Sequence, residues 1–365
     1  MRRDIAGQAT HLSRVRGSLL GGALGDALGN PVEFLSLAGI RDRYGDRGIT
    51  ELATNRAGLA EITDDTQMSL FTIEGLRDGY YRARTRGIGG AIASFVHASY
   101  LRWLDTQDYP EPPAADSLPH RTGSLRKESW LYAVRAPGNA CLSGLRSGQT
   151  VEPFAELTGK PGPVNPDSKG CGTVMRSAPF GFLGDPRSAF LLAGNCAQLT
   201  HGHPTGYYAA ASFAEIIAWL MNGESLRGAV LQSLRTLASH PGHEETSAAL
   251  RAALDLADEG DPTAGKVERL GAGWIAEEAL AIGVYSALAT VTGSDEFDIV
   301  KARLRLSVNH SGDSDSTGSV CGNLIGAVRG DVGLPFDWLR LVEARGQISA
   351  VADDFVLSTG QARSW

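Results

Sequence analysis

The chain has 365 residues, 42% of them hydrophobic, enough to bury a large core as one big domain or two ordinary ones. With 41 acidic against 34 basic residues, the net charge of -7 argues against non-specific nucleic-acid binding. No stretch reaches the roughly 18 apolar residues of a membrane helix. The start, Met1-Arg2-Arg3-Asp4, leads into polar residues without an apolar signal core. The four cysteines, Cys141, Cys171, Cys196 and Cys321, form no CxxC pair and read as reduced thiols, so a soluble cytoplasmic protein is expected.

Residues 1–13 precede the first clear pattern and read as a floppy arm, leaving residues 14–365 as the folded domain. Apolar residues then recur at helical steps from Leu12 to Leu28, between glycines that permit close helix packing. Ile49 to Leu52 is a weak strand candidate. Helical periodicity returns at Met68 to Tyr80 and Ile88 to Leu104, then at Phe190 to Leu199, Tyr207 to Met221 and Leu226 to Leu237. Ser247 to Ala257, Trp274 to Leu288 and Val320 to Val328 complete the series. Two long surface loops are expected, Asp105 to Arg121 and the Pro- and Gly-rich Thr158 to Gly172. The composition does not change across either loop, so neither is a domain linker. The expected fold is all-α, a compact many-helix bundle forming a single domain.

Thr63-Asp64-Asp65-Thr66 and Gly312-Asp313-Ser314-Asp315-Ser316-Thr317 crowd carboxylates and hydroxyls ahead of apolar helical runs. Either alone is explained as a helix start, with an N-cap and acids in the first turn. Brought together, they would repel unless a cation sat between them, and an all-oxygen set suits Mg²⁺ or Mn²⁺. An EF-hand lacks its glutamate here, and no His or Cys pairs are spaced for zinc.

Three further segments have both a plain and a functional reading. Gly21 to Glu33 is rich in small residues; Asp26 there would be costly to bury without a partner, and Glu33 follows a proline turn that can point it into a cleft. Gly170-Cys171-Gly172-Thr173-Val174-Met175-Arg176 is a glycine-rich turn able to offer amides to phosphate, without being a Walker loop. Thr200-His201-Gly202-His203-Pro204 carries two histidines that either ligate or simply hydrogen-bond.

In this order, the segments resemble the ADP-ribosylglycohydrolase family, together with Arg135-Ala136-Pro137-Gly138 and Gly273-Trp274-Ile275-Ala276-Glu277-Glu278. The resemblance implies an orthogonal helical bundle around two Mg²⁺ or Mn²⁺ ions. Thr63, Asp64 and Asp65 would ligate from one side and Asp313, Asp315 and Ser316 from the other. Gly170, Cys171, Gly172, Thr173, Met175 and Arg176 would line the ADP-ribose phosphates, with His203 and Trp274 also against the ligand. Asp65 or Asp315 would activate water, and Glu33 would serve near the leaving group. The implied substrate is an ADP-ribosylated protein, arginine-linked rather than serine-linked or polymeric, and the product is ADP-ribose. A monomer is expected, with a non-catalytic binding or immunity-type protein as the rival reading.

Overall fold

The structure, a computed structural model, describes residues 5–87, 90–114 and 122–360. Within them lie fifteen α-helices: α1 (Ile5–Gly29), α2 (Leu37–Tyr44), α3 (Asp64–Arg86), α4 (Ile92–Asp108), α5 (Asn139–Arg146), α6 (Pro186–Ala197), α7 (Pro204–Met221) and α8 (Leu226–Leu237). They continue as α9 (Glu244–Asp258), α10 (Ala264–Glu268), α11 (Ala276–Leu288), α12 (Glu296–Val308), α13 (Ser314–Arg329), α14 (Phe336–Leu339) and α15 (Arg345–Thr359). Among the described residues β structure is limited to two isolated bridges, Ala60 with Val342 and Gly170 with Ile275. The all-α expectation holds.

Helix α7 forms the centre. Every one of its residues except Trp219 is buried, because small residues such as Ala209, Ala210, Ala211 and Ala214 let neighbours close in on all sides. The contact between α1 and α13 is tighter still. A Cβ at Gly25 would lie 1.9 Å from the Gly318 carbonyl oxygen, and one at Gly322 would lie 1.9 Å from that of Gly21. Gly17 meets Gly326 in the same way. The two helices therefore touch backbone to backbone along a four-residue glycine repeat. This contact draws the C-terminal end of α1 onto the N-terminal turn of α13.

Several expectations need correction. Of the expected arm 1–13, residues 1–4 lie outside the described residues, and residues 5–13 form the first turns of α1, where Ser13 donates to Asp331 at 2.5 Å and neighbouring Arg14 to the Leu220 carbonyl at 2.7 Å. Ile49 to Leu52 is not a strand. Its backbone pairs with a side chain, Ile49 N to Asn309 Oδ1 at 2.8 Å and Asn309 Nδ2 to Ile49 O at 2.9 Å, so the Asn309 amide serves where a second strand would. Asp105 to Asp108 belongs to α4 rather than to a loop. Ile88, at the start of one expected helix, and residues 115–121 of the first loop lie outside the described residues. Trp274 and Ile275 lie ahead of α11 rather than in it, Trp274 in a bend and Ile275 extended and bridged to Gly170.

Candidate active site and metal centre

Both acidic motifs are helix first turns. On α3, the Thr63 side chain accepts the Asp65 amide at 3.3 Å; on α13, Asp313 accepts the Ser316 amide at 3.3 Å. The plain capping reading is therefore correct in detail. The positive ends of two helix dipoles also lie beneath the acids.

Asp26 supplies a third element. Fully buried on α1, it accepts the Thr63 amide at 3.0 Å, the Thr66 amide at 3.2 Å and the Thr66 hydroxyl at 2.5 Å. It caps α3 from another helix, so the partner demanded by its burial is the start of the first acidic motif.

Across the gap, ligand atoms of Glu33, Asp313 and Asp315 all lie within 4.8 Å of one another. Burial pushes the Glu33 carboxyl up to about 10, helped by the charges of Asp315, Asp313, Asp64 and Asp26. Burial also drives Asp64, Asp65 and Asp313 well above the usual carboxylate range, with Asp315 the next cause for each. Asp26 rises to about 7, again through burial first and Asp315 second. Four carboxyls from α3 and α13 thus sense one another through little solvent. The Oδ1 atom of buried Asp65 accepts no hydrogen bond. An orphaned buried carboxylate oxygen within an all-oxygen acid cluster fits a hard divalent cation, which would relieve the repulsion that protonation otherwise relieves. The acid cluster could hold a metal ion.

The glycine-rich turn borders this cluster. Cys171 donates its backbone amide to the Trp274 carbonyl at 3.1 Å, and its thiol reaches Asp313 Oδ2 at 2.8 Å. The glycines make room for a histidine: a Cβ at Gly170 would sit 3.2 Å from His201 Nε2, and one at Gly172 would sit 2.7 Å from the Cys141 sulfur. Glu278 Oε2 accepts the amides of Ala272 and Gly273 at 3.0 and 3.1 Å, fixing the loop that precedes Trp274.

The sequence profile of the ADP-ribosylglycohydrolase family matches residues 7–364. The chain belongs to the ADP-ribosylglycohydrolase family. It is 26% identical over 349 residues to the ADP-ribosyl-[dinitrogen reductase] glycohydrolase of Rhodospirillum rubrum, covering 93% of this chain and 94% of that one. It is 24% identical over 353 residues to an ADP-ribosylarginine hydrolase of Pseudomonas putida (strain GB-1), covering 94% and 78% respectively. A solved ADP-ribosylglycohydrolase-related protein complex shares the fold, with a TM-score of 0.61 at 23% identity over 96% of this chain and 99% of that one.

Within this ADP-ribosylglycohydrolase chain the candidate ligand-facing residues separate by depth. Trp274 is 40% exposed, and His203 is half-buried, its ring accepting the Thr205 amide at 3.2 Å as the cap of α7. Thr173, Met175 and Arg176 are buried. The Arg176 guanidinium lies 4.7 Å from the Tyr100 ring centroid and donates to the Thr200 hydroxyl at 2.6 Å, so it supports the turn from beneath. His201, rather than His203, packs behind the glycines, and burial beside Arg176 lowers it to about 3, which keeps it neutral.

One residue escaped the sequence reading. Phe34 stacks on Trp274 with ring centroids 5.2 Å apart, and holds a left-handed φ of 66° immediately after Glu33. Both rings are exposed, and 240 residues of sequence separate them, so nothing local to Glu33 signals the stack. A cavity of about 700 Å³, lined by Asn139, Ser143, Arg146, Asn165 and Asp167 among others, opens between α5 and the segment leading to Gly170.

Proposed function

We propose that the protein is a metal-dependent hydrolase that removes ADP-ribose from arginine side chains of modified proteins. The observation carrying this reading is the grouping of Glu33, Asp313 and Asp315 within 4.8 Å, beside buried Asp65 with its unpartnered oxygen. Family membership and the printed activities of the two relatives support it. Thr63, Asp64 and Asp65 on one side, with Asp313, Asp315 and Ser316 on the other, would hold two Mg²⁺ or Mn²⁺ ions. Such ions supply Lewis acidity, binding sugar hydroxyls and acidifying water.

The chain's own groups then divide the work. Asp65 or Asp315 takes the proton of the attacking water as C1″ of the distal ribose gains oxocarbenium character. Glu33 helps protonate the departing guanidine. The Gly170-Cys171-Gly172 turn borders the phosphates, and the cavity beside α5 receives the remaining nucleotide. His203 and Trp274 face the ligand, while Thr173, Met175 and Arg176 hold the turn in shape. No described helix is long and apolar enough to cross a membrane.

Incubation with arginine-linked and serine-linked ADP-ribosylated protein tests the reading. ADP-ribose should be released from the arginine linkage, and Asp313→Ala should abolish release. Inactivity on both linkages with Mg²⁺ or Mn²⁺ present would end the proposal. Function that survives Asp313→Ala would favour a blocking role.

A further inference from the structure

The aromatic pair at the edge of the acid cluster has no part in activating water. Phe34 and Trp274 stack with their planes 30° apart, yet 65% of Phe34 and 40% of Trp274 stay exposed. With one face against Trp274, a ring this exposed keeps its other face open. Backbone bonds tie both segments to the start of the second acidic motif. The Leu35 carbonyl accepts the Gly312 amide at 3.3 Å, and the Ala272 carbonyl accepts the Asp313 amide at 2.8 Å. Phe34 also directly follows Glu33, whose carboxyl shares ligand distance with Asp313 and Asp315. The turn that carries the ring is closed by the Leu35 amide on the Val32 carbonyl at 3.0 Å, with Phe34 at a φ of 66° that a bulky side chain rarely adopts. Backbone strain of this kind persists where the surroundings impose it, and it gathers at ligand sites.

We propose, on the arginine-hydrolase reading above, that the open face of Phe34 receives the guanidinium of the modified arginine, with Trp274 bracing the ring from behind. A guanidinium is planar, delocalised and weakly hydrated, so it stacks on an aromatic face where a compact ammonium keeps its water. The neighbouring carboxylates of Glu33, Asp313 and Asp315 add a negative field that favours a cationic side chain at this rim. A serine linkage offers a neutral oxygen and gains nothing from the ring. Phe34 is thus a specificity-determining residue: it holds the group that leaves and stays clear of the ribose and the phosphates. Its contribution falls on substrate binding rather than on bond cleavage.

The test is steady-state hydrolysis of ADP-ribosyl-arginine, with ADP-ribose binding measured beside it. Phe34→Gly accepts the left-handed backbone and removes the ring, and Phe34→Asn does the same with a less flexible residue. Both should raise KM about tenfold, within the range of a cation–π contact, without lowering kcat. Phe34→Tyr keeps an aromatic face and should keep the KM. Affinity for ADP-ribose, which carries no guanidinium, should match wild type by calorimetry in all three. An unchanged KM in the two ringless variants, or an equal loss of ADP-ribose affinity, overturns the proposal alone. Wild type that leaves ADP-ribosyl-arginine intact with Mg²⁺ or Mn²⁺ present overturns the arginine-hydrolase reading, and this assignment with it.

Discussion

The Asp26 carboxylate of α1 accepts the backbone amide of Thr63, the first residue of the distant acidic motif, at 3.0 Å. One buried acid thus fixes where α3 begins, and with it the positions of Asp64 and Asp65. Asp26→Asn keeps the shape but turns an acceptor towards the amides into a partial donor. It should cost about 2–3 kcal/mol in urea unfolding, the scale of hydrogen bonds to a charged group. It should also weaken Mn²⁺ binding, and unchanged metal affinity would show that α3 holds its acids without this cap.

Gly25 faces the Gly318 backbone with no room for a methyl group, since a Cβ would lie 1.9 Å from a carbonyl oxygen that cannot rotate away. Gly25→Ala should therefore lower stability by at least about 2 kcal/mol and raise the apparent Kd for Mn²⁺, because separating α1 from α13 parts Glu33 from Asp313 and Asp315. Thermal melts and calorimetry on this variant, against Gly90→Ala in open space, make the comparison.

The acid cluster sets the pH response. Glu33 rises from 4.5 to about 10 and Asp26 from 3.8 to about 7. A carboxyl raised on folding binds its proton more tightly in the native state. Its stabilisation is complete below the unfolded value and is lost as pH climbs through the folded one. Metal-free protein should thus melt higher at about pH 5 than at about pH 8, opposite to a protein stabilised by salt-bridged acids. Divalent cation should raise the Tm at the higher pH and do little at the lower, where protons occupy the oxygens. A chelator-treated sample whose Tm climbs from the lower pH to the higher would contradict this.

Phe34 adopts its left-handed backbone at a cost of about 1–2 kcal/mol, so the Trp274 stack must contribute to holding it there. A double-mutant cycle with Phe34→Ala and Trp274→Ala should give a coupling of about 1 kcal/mol in stability. Each single variant should raise KM for modified protein. Simple additivity would mean that the rings merely lie close.

Arg176 is the fifth case. Its burial on Tyr100 and Thr200 predicts that Arg176→Met costs about 2 kcal/mol or more of stability. At temperatures well below the melt its KM should stay near that of wild type, whereas a phosphate-contacting arginine would show the reverse pattern.

Taken alone, the sequence determined the all-α class, the principal helices and the chemistry of the acid motifs. Those signals are local: helical periodicity, a Thr or Asp cap, carboxylates next to hydroxyls. Leu226 to Leu237 coincides with α8 because an amphipathic surface helix announces both ends. Helices α12 and α15 went unread because their apolar residues are interleaved with charges that find distant partners, Arg305 with Glu51 and Asp353 with Arg16. Only the tertiary structure decided that Asp26 caps α3, that Arg176 lies beneath the turn, and that Glu33 joins Asp313 and Asp315. The first and last of these span 37 and 282 positions of sequence, from Asp26 to Thr63 and from Glu33 to Asp315. They exist because two glycine-lined helices can touch along their backbones. A glycine repeat permits such a contact without naming its partner, and the partner here is what converts two ordinary helix caps into one acid cluster.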